Sequence, residues 1–113
     1  MALRIITTDL CFAEGPRWYD GALWFSDMHD HVVCRIDADG RKTVVAEVPQ
    51  QPSGLGWLPD GRLLIVSMRD RSILVQNAHG LELWCDLSPL TKHDCNDMVV
   101  DELGRCWVGN FGF

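Results

Sequence analysis

The chain has 113 residues, 47% hydrophobic and 23% charged, which excludes a disordered or fibrous protein and leaves room for one domain at most. Against 16 Asp and Glu stand only 10 Lys and Arg, a net charge of -6 that repels phosphate, so neither a nucleic acid nor an anionic membrane surface is an expected partner. The longest aliphatic run, Leu63-Leu64-Ile65-Val66, is far short of the roughly 20 apolar residues of a spanning helix, and Arg4 and Asp9 interrupt residues 1–12 before a signal-type core forms, so a cytoplasmic protein is expected.

In chain order the predicted elements are strands throughout, because short apolar, β-branched and aromatic runs alternate with Asp-Gly, Gly or Pro and no stretch repeats at helical spacing. The first set lies near 15–19, 22–26, 32–36 and 43–48; the second near 55–58, 62–67, 72–76 and 81–85. Asp20-Gly21 and Asp60-Gly61 supply positive φ and turn the first two strands of each set into antiparallel hairpins. A third copy begins at Asn96-Asp97-Met98-Val99-Val100-Asp101 and ends as a hairpin. The turn glycines Gly21, Gly61 and Gly104 stand 40 and 43 residues apart.

Four antiparallel strands every ~40 residues is the pattern of a β-propeller blade. Blade 1 is expected over about 14–50, blade 2 over about 53–88 and a partial blade 3 over about 96–113, making residues 1–113 the N-terminal portion of a single propeller domain, about two and three-quarter blades. A closed ring of about 4 to 8 blades needs roughly 160 residues or more, so the chain is expected to be a piece of something longer unless copies associate to complete it. An open blade face would then promote self-association.

Inner strands of a propeller line its channel, and the residues leading into them ring its mouth. Counting back from the turn glycines, Glu14, Ser53 and Asn96 take equivalent places: a carboxylate, a hydroxyl and an amide. Oxygen donors suit calcium or magnesium, and with His or Asp nearby also zinc or manganese. Asn96-Asp97 equally fits a turn bonded to its own backbone, and Glu14 a solvated carboxylate. His29 and His31 flank Asp30 and are expected on one face of a strand, a weak metal signal. Cys95 beside His93 and Asp94 suggests a thiol nucleophile, although sequence neighbours point apart in an extended chain. The five cysteines form no CxxC pair and are expected reduced and mostly buried, and the five tryptophans are expected between blades.

At these residues the sequence resembles the senescence marker protein (regucalcin), gluconolactonase and luciferin-regenerating enzyme family. The matching elements are Glu14-Gly15-Pro16-Arg17-Trp18 with Leu23-Trp24-Phe25-Ser26-Asp27, then Pro52-Ser53-Gly54-Leu55-Gly56-Trp57-Leu58-Pro59-Asp60-Gly61, then Asn96-Asp97-Met98-Val99-Val100-Asp101 with Gly104. The resemblance implies a six-bladed all-β propeller of roughly 250 to 300 residues holding one divalent cation, calcium foremost, at the channel mouth. It makes Glu14 a metal ligand and sets Asn96 against substrate or metal-bound water, while the family's other ligands and the general base fall outside these residues. Sugar-lactone members often carry Arg where this chain has Asp94, which here becomes a substrate-facing carboxylate and puts aldonolactone specificity in question.

The expected activity is metal-dependent hydrolysis of a small-molecule lactone or related ester, the cation acting as a Lewis acid on the carbonyl and acidifying the attacking water. The alternative is a non-catalytic propeller that binds calcium or a protein partner.

Overall fold

In the computed structural model, which describes all 113 residues, the turn chemistry and the β-rich runs between turns produce ten strands and no α-helix. They are β1 (Ala13–Tyr19), β2 (Ala22–Asp27), β3 (Val32–Ile36), β4 (Lys42–Glu47), β5 (Pro52–Trp57), β6 (Leu63–Ser67), β7 (Ser72–Asn77), β8 (Gly80–Asp86), β9 (Cys95–Val100) and β10 (Cys106–Asn110). Two four-stranded antiparallel sheets run in sequence order, β1 to β4 and β5 to β8, and β9 with β10 forms a two-stranded third. By strand count this is two blades and half of another. No helix is long and apolar enough to cross a membrane.

Asp20 and Gly21 close the β1–β2 hairpin with φ of +49° and +72°, the double left-handed turn whose twist matches its strands. Tyr19 pairs with Ala22 directly across it. The strand expected at 55–58 starts three residues earlier, at Pro52, because Pro is tolerated at the first position of a strand and this one is buried between its neighbours.

The sheets stack face to face. Trp24, Val33, Ala46, Val48, Leu55, Leu63 and Ile65 form the seam between the first two blades, and Leu64, Val66, Met68, Ile73 and Val75 meet Cys95 and Met98 across the second seam. Each fully buried Leu or Ile contributes about 2 kcal/mol by leaving water. The tryptophans divide: Trp24 is buried and Trp57 stacks on Tyr19 at 4.1 Å, but Trp18 and Trp107 are 73% and 59% exposed on faces that no neighbouring blade covers. All five cysteines are free, with Cys11 and Cys85 exposed instead of buried.

Ahead of β1, residues 1–12 form no strand. Their last turn is held by the buried Asp27 carboxylate, which accepts the Cys11 and Phe12 amides at 3.0 and 2.7 Å, while Leu10 packs beside Phe25 and Ile36.

Candidate functional site at the channel mouth

The three inner strands β1, β5 and β9 lie close together because glycine removes side chains where their backbones meet. A Cβ on Gly15 would sit 3.0 Å from the Ser53 carbonyl oxygen. One on Gly54 would overlap the Met98 amide nitrogen and come within 2.9 Å of the Asp97 Cα.

Each inner strand also carries the same bulge at its start. Glu14 pairs with Ser26 and Arg17 with Trp24; Pro52 pairs with Ser67 and Leu55 with Ile65; Cys95 pairs with Asn110 and Met98 with Val108. In every case the inner strand advances three residues while its partner advances two. The bulged pairs are Gly15-Pro16, Ser53-Gly54 and Asn96-Asp97, residues that fit a regular pleat poorly. This register corrects the count made from the turn glycines: Gly15 is the counterpart of Ser53 and Asn96, and Glu14 stands one place earlier, beside Pro52 and Cys95. The first hairpin has a shorter turn than the other two, so Gly15 stands 6 residues before Gly21 where Ser53 and Asn96 each stand 8 before Gly61 and Gly104.

The bulges let neighbouring blades share hydrogen bonds. Fully buried Ser26 donates from Oγ to the Ser53 carbonyl at 2.6 Å, and fully buried Ser53 donates from Oγ to Asn96 Oδ1 at 3.0 Å. A buried hydroxyl without a partner costs stability, and these two find theirs on the next blade. Half-buried Asn96 is thereby fixed at the mouth with its amide nitrogen unspent.

Glu14 is half-buried, enters none of the chain's ion pairs, and borders a depression of about 190 Å³ with Ile6, Leu10, Pro16 and Phe25. It makes no hydrogen bond to Ser53 or Asn96; its strand partner Ser26 makes the link to Ser53. Asp94 is half-buried, its carbonyl accepting the Phe111 amide at 3.1 Å.

The remaining sequence candidates separate. His29 and His31 lie not on a strand but in and after a 3-10 turn (Met28–Asp30), with His31 at φ +61°. The His29 Nδ1 is 3.3 Å from Gln51 Nε2, and the His31 Nδ1 is 2.9 Å from the Pro49 carbonyl, so the rings serve different neighbours. Cys95 is buried against the second blade, and burial pushes its thiol pKa up, the wrong direction for a nucleophile.

No group of three or more His, Cys, Asp or Glu side chains is arranged to hold a metal. Of the three oxygen-bearing side chains, the Ser53 hydroxyl and Asn96 Oδ1 are engaged with each other, so the Glu14 carboxylate is the oxygen left to a hard cation, a minority of the about six to eight oxygens calcium takes. These residues can form one wall of such a site.

Stacked four-stranded blades with inner strands converging on a polar mouth define a β-propeller. The chain belongs to the SMP-30/gluconolactonase/LRE-like family, whose model matches residues 12–113. No curated protein sequence matches it. Among solved structures it is similar to a gluconolactonase from Xanthomonas campestris, at 21% identity and a TM-score of 0.81 over 96% of this chain and 38% of that one. It is also similar to a calcium-binding protein, regucalcin, from Agrobacterium tumefaciens, at 24% identity and a TM-score of 0.74 over 95% of this chain and 38% of that one. A third, virginiamycin B lyase from Staphylococcus aureus, aligns at 19% identity with a TM-score of 0.73 over 90% of this chain and 36% of that one. The chain thus spans just over a third of the length of these solved relatives.

Proposed function

We propose that these residues form the first wall of the active site of a divalent-cation-dependent hydrolase acting on a lactone or related ester, completed by blades outside the 113 residues. The observation that carries this reading is the Ser53 to Asn96 hydrogen bond, which holds an amide at the mouth of a chain belonging to the SMP-30/gluconolactonase/LRE-like family. With Oδ1 engaged by Ser53, Asn96 has both Nδ2 hydrogens to offer to a substrate oxygen. Glu14 supplies a charged oxygen for the cation, with calcium the first choice given the calcium-binding relative. When bound, a divalent cation supplies Lewis-acid polarisation of a carbonyl. Asp94 lies two residues before Asn96 and adds negative charge at the rim, disfavouring carboxylate-bearing substrates.

Turnover of a lactone panel by the gene product that carries these residues tests the reading. Hydrolysis lost on chelation and restored by calcium, zinc or manganese is the expected result. Calcium binding without turnover of any lactone would instead favour a non-catalytic propeller.

A further inference from the structure

We infer that Arg17 is a positioning residue for Asn96, tying the first inner strand to the third across the second and so setting the span between Glu14 and Asn96. The inference rests on the proposed role of those two residues at the mouth. β1 and β9 share no sheet, and β5 lies between them. Arg17 nevertheless donates from Nη2 to Asp97 Oδ1 at 2.7 Å and to the Met98 carbonyl at 2.8 Å, while its Nη1 is held by the Pro16 carbonyl at 2.9 Å. The partners are 80 and 81 residues away in sequence.

Three features make this reach possible. The β1 bulge comes first: residues three apart on a regular strand face opposite ways, but Glu14 and Arg17 oppose Ser26 and Trp24, which are two apart, so both point to one side. The second is Gly54, whose missing side chain lets Asp97 and Met98 lie directly against β5 beneath the guanidinium. The third is Asp97 itself, whose Oδ1 also accepts the Met98 amide at 2.8 Å and is therefore turned back along β9 to face Arg17.

The clamped residues, Asp97 and Met98, follow Asn96 immediately. Ser53 holds the Asn96 side chain and Arg17 holds the backbone beyond it. Nη2 spends its two hydrogens on the carboxylate and the carbonyl while Nη1 is anchored by the Pro16 carbonyl; a lysine ammonium carries the charge and the donors but lacks the second nitrogen that fixes the head group in place. The pair is part-exposed, at 29% and 57% for the two side chains, so its contribution to global stability is small. Its leverage is on the mouth.

The test uses Arg17→Met, Arg17→Lys, Asp97→Asn and the Arg17→Met/Asp97→Asn double variant, made in the gene product that carries these residues. On its best lactone, Arg17→Met and Asp97→Asn are each expected to lower kcat about tenfold with KM within about twofold. Arg17→Lys should recover only part of the loss, and the double variant should be no worse than the poorer single one. A lowered melting temperature with kcat per folded molecule unchanged would reduce the tie to a structural contact and overturn the inference. A second readout is independent of turnover: in crystals of Arg17→Met the Ser53 Oγ to Asn96 Oδ1 separation should open beyond about 3.5 Å, out of hydrogen-bond range. An unchanged separation overturns positioning even if activity falls. If the unaltered protein hydrolyses no lactone, the proposed function fails, while the crystal comparison still decides the role of Arg17.

Discussion

The two ends of the sheets handle their polar groups differently. At the mouth end, hydrogen bonds pass from blade to blade: Ser26 to Ser53, Ser53 to Asn96, and the Cys95 amide to the Met68 carbonyl at 3.2 Å. At the opposite end, most are spent within a single turn. Asp37 caps the Asp39 and Arg41 amides, Asp60 the Arg62 amide, and Asp101 the Leu103 and Arg105 amides. A turn satisfied by itself can vary without moving its neighbours. A mouth built from shared bonds holds side chains of several blades in one arrangement, as a binding site demands.

Glycine substitutions should separate the ends most clearly. At the mouth, Gly54→Ala drives a Cβ into the Asp97–Met98 backbone and should destabilise by about 3 kcal/mol. In the β3–β4 turn, Gly40→Ala meets nothing within 4 Å and costs only its left-handed φ of +82°, about 1 kcal/mol. Denaturant midpoints measure both, and equal losses would erase the distinction.

Next in size is the buried serine relay. Ser26→Ala strands the Ser53 carbonyl in an apolar seam and should cost about 1.5 kcal/mol, whereas Asn77→Ala, which releases one exposed turn amide, should cost less than about 0.5 kcal/mol. Thermal melts of the two variants check the ratio.

The smallest effect concerns acid. Burial would raise the Asp101 carboxyl pKa, but hydrogen bonds from Arg105, Trp107 and Leu103 outweigh it and hold the carboxyl below the usual range. A lowered folded pKa adds stability above the ordinary value of about 4, which is lost as pH falls through the lower folded one. Asp101→Asn should therefore melt below the unaltered chain at neutral pH, with the gap closing on acidification. A gap that widens in acid would contradict this.

Much of the fold was legible because turn chemistry is local. Asp20-Gly21 and Asp60-Gly61 mark hairpins by their own backbone needs, and β3 falls on its expected residues, 32–36. The mouth was legible in part. Asn96 and Ser53 stand out by repeat position, but their hydrogen bond depends on a bulge whose only sequence trace is the weak strand formers Gly15-Pro16, Ser53-Gly54 and Asn96-Asp97. The Arg17–Asp97 tie leaves no sequence signal, since nothing local links residues 80 apart. His29 and His31 were misplaced because Asp27 and Met28 anchor the residues before β1, so the chain turns there instead of continuing as a strand.

Calcium titration of Glu14→Gln beside Asp101→Asn, in the gene product that carries these residues, tests the central claim most directly. Glu14→Gln keeps size and removes one mouth carboxylate's charge; Asp101→Asn does the same at the turn end. The account predicts that calcium affinity falls by about tenfold, roughly 1.4 kcal/mol, for Glu14→Gln and stays within about twofold for Asp101→Asn. Equal affinities in both variants and the unaltered protein would contradict it.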